Sequence, residues 1–478
     1  MLSSDDAMTR HTAKTVAAFV AIVAIAFLLR WYYVVTALVD NPLRGDAGQY
    51  YSYAWNLLNH HVFSMASPGA ELVIPDSYRA PGYPLLLAGW MALLDNFDLW
   101  VAGVVLTQCV LGALTAGMTL LLARFWLPLR WSTAAGLLAA LWPHSITVTQ
   151  YLLSETLYGF VALLSVLMFG LVLGKRTPIL AVFAGLCFGF ATLVNPTFLP
   201  MILLLPLVAV WRGDAPKHLL MTFALCACLL PASWAARNMM LPPAASASQD
   251  RALQTLVIGS WPGFTAAWRE SIGLEADAAR DIPLVDREAR MSSAKKALEL
   301  ADREQQAMLR SPVEGLSVLW SRFAESPLLY LKWYLFQKPA MFWGWNIQIG
   351  QGELYIFPTM NSPLENDVPL RALVSAFHGL NPVLGVSAMI VALMALIRRQ
   401  ARTNGVAARA GTSPQLCAAA SLLVGVTAIH TLLQAEPRYS IPYRSFEIAL
   451  AVTAMAWLVS RIRKIRQADL TLQSGVSQ

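Results

Sequence analysis

Asp46 and Glu155 are the acids around which chemistry at a membrane surface can be built. Asp46 stands in the stretch "NPLRGDAGQYYSYAWNLLNHH", residues 41–61, directly after a long apolar run, and Glu155 stands in "TQYLLSETLYGF", at the start of another. Two carboxylates at one interface suit two tasks: taking a proton from a hydroxyl and steadying positive charge at a sugar carbon. Each acid also fits a purely local role. "DAGQ" matches a capping box, with Asp46 accepting backbone N–H bonds and Gln49 reaching back. Ser154 is placed to cap a helix whose first turn holds Glu155, where the helix dipole favours an acid.

Basic side chains follow the same double logic. Arg79, in "DSYRAPGYPLLLAG", precedes a rigid "PGYP" turn. Its planar donors suit phosphate oxygens, and an arginine at the headgroup level also simply snorkels. Arg237 in "PASWAARN", Lys338 in "WYLFQKPAMFW" and Arg438 in "AEPRYSIPYR" read either as membrane-interface anchors or as ligand contacts. His60 and His61 suit metal or phosphate, but two adjacent histidines without a spaced acid make a weak metal signal. No metal or other cofactor is therefore assigned, and dependence on a divalent ion stays open. The helix that Asp46 opens carries Tyr50, Tyr53 and Leu57 on one side and Tyr51, Trp55 and Leu58 on an adjoining one. That pattern suits a helix lying in the headgroup layer, level with lipid phosphates. The candidate set is Asp46 and Glu155 for catalysis, with Arg79, Tyr50, His60, Arg237, Lys338 and Arg438 for substrate binding.

The elements that must position these residues are membrane spans. Of the 478 residues 57% are hydrophobic and only 13% charged, outside the range of soluble globular chains. The first apolar run, 16–39, is longer than a secretory h-region and shows no small-residue cleavage pattern, so it reads as a retained span. Further runs cover 98–123, 132–150, 155–174, 178–194, 196–211, 217–235, 379–397, 414–434 and 440–460, giving about ten spans. The five cysteines sit inside apolar runs without zinc-ligand spacing.

The piece at 80–94 decides the topology. If it crossed, Arg124, Arg130, Lys175, Arg176, Arg212 and Lys217 would fall outside, against the tendency of basic residues to stay cytoplasmic. If it dips into the bilayer, those residues fall inside, with Arg398, Arg399, Arg402, Arg409 and the terminal "RIRKIRQ". The dip is preferred, since a run of about 15 residues reaches only about 22 Å as a helix. Three regions then share the non-cytoplasmic side: the first external loop (40–97), the turn near Glu155 and a polar stretch. The chain divides into a transmembrane module (1–235), an extracytoplasmic or juxtamembrane region (236–377) and C-terminal helices with a basic tail (378–478). In the middle region "REARMSSAKKALELADREQQAML" reads as solvated helix, flanked by segments such as "FWGWNIQIGQGELY". The net charge of +7 comes mainly from cytoplasmic loops, so nucleic-acid binding gains no support.

The order of these features resembles the GT-C superfamily of polytopic glycosyltransferases, in the branch of aminoarabinose transferases of lipid A and protein O-mannosyltransferases. The likeness lies in "RGDAGQYYSYAWNLL", "YRAPGYPLLLAGWMALL", "SETLYGF", "GLCFGFATLVNPTFLPM", "PASWAARN" and "PRYSIPY". It implies an all-α GT-C-like helix bundle with juxtamembrane helices in the first external loop, in the cytoplasmic (inner) membrane, with its active site on the extracytoplasmic face. It further implies a polyprenyl-phosphate sugar donor and inverting transfer to a hydroxyl of a lipid, glycan or protein. Asp46 corresponds to the catalytic aspartate of the first loop and Glu155 to the second-loop acid. Those branches often carry Asp-Glu where this chain has Asp46-Ala47, which leaves the acceptor class open. A flippase or transporter of the lipid-linked sugar, or a ligase-type membrane protein, is the alternative. It would place charged or broken helices within the bilayer, whereas these acids gather at its edge.

Overall fold

The computed structural model describes residues 4–241, 247–271, 284–347, 359–397 and 413–476. From the N-terminus, α1 (Ser4–Thr36) is followed by α2 (Asp46–His60) and α3 (Gly82–Leu93), then α4 (Phe97–Arg124), α5 (Leu129–Leu141), α6 (Pro143–Thr147), α7 (Glu155–Lys175), α8 (Pro178–Val194), α9 (Met201–Arg212) and α10 (Lys217–Met239). Helices α11 (Ala247–Gly259), α12 (Phe264–Ser271), α13 (Leu284–Arg310), α14 (Pro312–Glu325), α15 (Pro327–Lys332), α16 (Lys338–Phe342) and α17 (Pro363–Asn366) lead to the C-terminal set. That set is α18 (Val368–Ile397), α19 (Pro414–Leu432), α20 (Pro437–Ser440) and α21 (Arg444–Val476). The expected all-α architecture is the one observed. Sheet among the described residues is a single antiparallel pair, β1 (Leu38–Val39) and β2 (Thr359–Met360), with Leu38 opposite Met360.

Among the described residues seven helices are long and apolar enough to cross a membrane: α1, α4, α7, α10, α18, α19 and the run from α20 into α21. The chain is a multi-pass membrane protein. The runs at 178–194 and 196–211 form shorter apolar helices. The run at 132–150 is not one helix, because Pro143 lacks an N–H and holds Trp142 extended, at ψ 114°, so α5 stops at Leu141. Helix α3, at 12 residues, reaches about 18 Å and is too short to cross the bilayer core. Residues 348–358, within the tryptophan- and glycine-rich stretch, lie outside the described residues, as do Arg398, Arg399, Arg402 and Arg409.

Helix α4 packs against α1, α5 and α7, while α8 lies between α7 and α10 and α21 against α18 and α5. Lipid supplies no hydrophobic force between spans, so close contact has to come from small residues. Gly185 and Gly189 supply it on α8. A Cβ there would lie 2.5 Å from the Phe223 carbonyl oxygen or 2.9 Å from that of Ala227. In the middle region Val257, Met308 and Leu319 form a small separate core that ties α11, α13 and α14 together.

Candidate active site

The entry to α2 fixes where Asp46 points. Gly45 takes φ 63°, and a Cβ on Gly48 would lie 2.4 Å from the Leu43 carbonyl oxygen, so the incoming chain folds over the first turn of the helix. Asp46 is then the first helical residue rather than the cap. The capping-box expectation fails: no side-chain cap bond forms at Gly45, and Gln49 accepts from Arg79 Nε at 2.7 Å instead of reaching back.

The loop from α2 to α3 is built to deliver Arg79. Asn56 on α2 donates to the carbonyls of Ser64 (2.9 Å) and Ala66 (2.8 Å). Asp76 accepts from Met65 N (2.7 Å), Tyr78 N (3.1 Å) and the Tyr53 hydroxyl. Arg237 of α10 clamps the same loop from outside, donating to the carbonyls of Asp76 (2.6 Å) and Phe63 (3.3 Å) with its guanidinium 4.9 Å from the Trp234 ring centre. Glu155 is placed by a second device. Gln108 of α4 donates to the carbonyls of Thr149 (3.0 Å) and Tyr151 (2.9 Å) and accepts from Tyr83 of α3 (3.0 Å). Ser154 forms no side-chain cap; its Oγ lies 3.3 Å from the Tyr50 hydroxyl.

These supports bring four charged side chains from four segments into one chain of ion pairs. Asp46 meets Arg79 through Oδ1 and Arg438 through Oδ2, the latter at 2.5 Å, and Arg438 Nε lies 2.9 Å from Glu155 Oε1. Arg79 sits over the Tyr50 ring at 5.1 Å. Asp46 keeps 26% of its side chain exposed against 9% for Glu155, so Asp46 is the acid an incoming molecule meets. Burial acts to raise the Asp46 carboxyl, but Arg438, Arg79 and the more distant Arg251 outweigh it and hold the group well below the usual carboxylate range. For Arg79, burial opposes the charge while Tyr50 and Asp46 favour it, and the guanidinium is held above its ordinary value.

Asp46, Glu155, Arg79, Arg438 and Tyr50 thus form one cluster, and three other candidates stand apart from it. His60 ends α2, exposed against Trp55, fourteen residue steps or about 21 Å along the helix from Asp46. Arg237 is the loop clamp already described. Lys338 is fully buried, donating to the carbonyls of Gly259 (2.8 Å) and Leu433, and burial lowers its ammonium to about 7. Sequence reasoning missed Asp76, whose bond to the Tyr78 amide two residues on is an Asx turn announced by "PDSY". It also missed Arg251 and the buried Arg444–Glu447 pair (2.7 Å), an i,i+3 pair of charges in an apolar span. Among the described residues no group of three His, Cys, Asp or Glu is placed to hold a metal ion.

No family model matches the sequence, and neither does any curated protein sequence. Solved structures do match. The oligosaccharyltransferase of Archaeoglobus fulgidus in its apo form is 13% identical, with 96% of this chain and 52% of that one covered at a TM-score of 0.50. The oligosaccharyltransferase AglB of the same organism, in complex with an inhibitory peptide and a dolichol-phosphate, is 14% identical over 96% and 52% at 0.49. ArnT from Cupriavidus metallidurans bound to undecaprenyl phosphate is 14% identical over 92% and 77% at 0.36. The chain spans about half the length of the oligosaccharyltransferases it matches. At such an identity the likeness to the oligosaccharyltransferase is one of fold alone.

Proposed function

We propose that the chain is a membrane glycosyltransferase that moves a monosaccharide from a polyprenyl-phosphate carrier to a hydroxyl of a lipid, glycan or protein on the extracytoplasmic face, with inversion. The observation that carries this reading is the ion-paired cluster itself. Two arginines are held at one site by acids, next to helices too short to cross the bilayer, where a lipid phosphate would arrive. The shared fold with an oligosaccharyltransferase supports the reaction class.

The chemistry follows from the charges. Donor phosphate oxygens draw Arg79 and Arg438 away from Asp46, and the two guanidinium groups hold the leaving group's charge. Asp46, released, takes the acceptor hydroxyl proton as the acceptor oxygen bonds to the anomeric carbon. The bond from that carbon to the phosphate oxygen breaks, and polyprenyl phosphate leaves as an anion. Glu155 keeps Arg438 aimed at the phosphate throughout.

The test is product analysis in proteoliposomes loaded with lipid-linked sugars and envelope acceptors extracted from the source cells. Release of free polyprenyl phosphate that depends on Asp46 and Arg79 is expected. Movement of the intact lipid-linked sugar across the bilayer without release would replace the transferase with a transporter.

A further inference from the structure

A buried arginine inside the helix bundle makes no ion pair with an acid among the described residues. Arg30 of α1 is 1% exposed, and its Nη1 donates to the carbonyls of Ala26 (3.0 Å) and Ala140 (3.3 Å), while its Nε meets no acceptor. The ion pairs at Asp46, Glu155, Asp214, Glu304 and Glu447 are made by other arginines. A charged side chain within a spanning helix is costly and usually faces a substrate path or a partner.

Arg30 lines a cavity of about 40 Å³ together with Thr115, Ser145, Glu155, Thr156 and Arg444. Two more of those side chains carry buried donors without acceptors, Thr156 at Oγ1 and Arg444 at Nε. Glu155 is the wall shared with the ion-paired cluster, since it also meets Arg438. Gly112 makes the room, because a Cβ there would lie 2.6 Å from Arg30 Nε.

We propose that this cavity takes the hydroxyl-bearing edge of the transferred sugar, with Arg30 and Thr156 as donors to its oxygens. The inference rests on the transferase reading, in which the phosphate sits on Arg79 and Arg438. The anomeric carbon is one bond from that phosphate, the lipid tail needs the bilayer, and the cavity beyond Glu155, with buried donors on Arg30, Thr156 and Arg444, suits the remaining, hydrophilic part of the donor. A space of this size holds about three waters, matching the hydroxyl oxygens along one edge of a pyranose. Replacing such waters by hydroxyls that repeat their hydrogen bonds keeps the donors satisfied.

The experiment compares undecaprenyl phosphate with undecaprenyl-phosphate-linked glucose, mannose and arabinose, binding to the full chain in nanodiscs. At least one sugar lipid should bind the wild type more tightly than the bare phosphate does. Arg30→Met should abolish that preference, a loss of about tenfold or more for the sugar lipid, the scale of one lost hydrogen bond to a charged group. Binding of the bare phosphate should not change. Thr156→Val, which removes only an unbonded hydroxyl, should reduce the same preference and decides the matter if Arg30→Met does not fold. Equal weakening of both lipids, or of neither, overturns the proposal. Absence of any sugar preference alongside Arg79-dependent phosphate binding sinks the cavity assignment and leaves the transferase reading standing. Failure of bare phosphate to bind at all sinks that reading itself.

Discussion

Asp46→Asn separates the roles that one carboxylate combines. The carboxylate accepts from Arg79 through one oxygen and from Arg438 through the other. Asn has one acceptor oxygen, and its amide N–H groups would face the second guanidinium. A hydrogen bond to a charged group contributes about 1.5–3 kcal/mol, and the lower end applies because the side chain is 26% exposed. The variant should therefore be less stable by about 1.5 kcal/mol, with no cap lost. Turnover, followed as free polyprenyl phosphate released from sugar-loaded lipid, should fall by about 10²- to 10⁴-fold, the usual contribution of a general base. Binding of undecaprenyl phosphate should move the other way. Arg79 and Arg438 no longer have to leave a carboxylate, so affinity should rise, by up to about tenfold if about 1.4 kcal/mol of that competition is removed. Weaker phosphate binding in a folded Asp46→Asn protein would refute the exchange of partners. Near-normal turnover would refute the base.

Arg79→Lys keeps the charge but loses the planar fork that spans Asp46 and Gln49, so donor affinity should fall by about tenfold with little change in thermal stability; unchanged affinity would remove Arg79 from the phosphate site. Asp76→Ala frees the amides of Met65 and Tyr78 and the Tyr53 hydroxyl, and should lower both stability, by roughly 2 kcal/mol, and donor affinity, although Asp76 touches no part of the cluster; unaltered donor binding would show that the loop does not place Arg79. Lys338 is lowered to about 7 in the folded chain from an ordinary value near 10.5, so the unfolded chain binds more protons between those values. Its contribution makes stability rise with pH across that window, and Lys338→Met should flatten the rise in thermal melts between pH 7 and pH 10; an unchanged slope would count against it.

What was legible in the sequence was what announces itself locally. Asp46, Glu155, Arg79 and Arg438 stand at the edges of apolar runs, where a charge is conspicuous, and sidedness alone placed them on one face. The partners were not legible. Arg237 and Lys338 satisfy backbone carbonyls 161 and 95 positions away, and no side-chain pattern marks a carbonyl. The cap assigned to Asp46 failed on a steric detail: the Leu43 carbonyl presses on Gly48, and Gly45 at φ 63° sets the helix start one residue earlier than a capping box needs. His60 has the chemistry for phosphate, but the turns of α2 carry it away from Asp46. Arg30 and Arg444 are hard to see in the sequence because the apolar residues around each outweigh a single charge. In a span, the single charge is the signal.

The pairing of acids with arginines also bears on timing. An empty phosphate site lined only by arginines would hold uncompensated charge at the membrane edge, a state that low dielectric makes costly. Asp46 and Glu155 remove that cost, but arginines so close make Asp46 a poor proton acceptor. On the proposed reading an arriving phosphate changes both conditions at once. It takes the guanidinium groups and leaves a carboxylate beside a second anion, and a like charge at that distance raises the proton affinity of Asp46. The acceptor hydroxyl then loses its proton only when a donor is in place to receive the oxygen. That order disfavours attack by water or acceptor on an unloaded site without requiring a lid, and it places the control in the same atoms that carry the reaction.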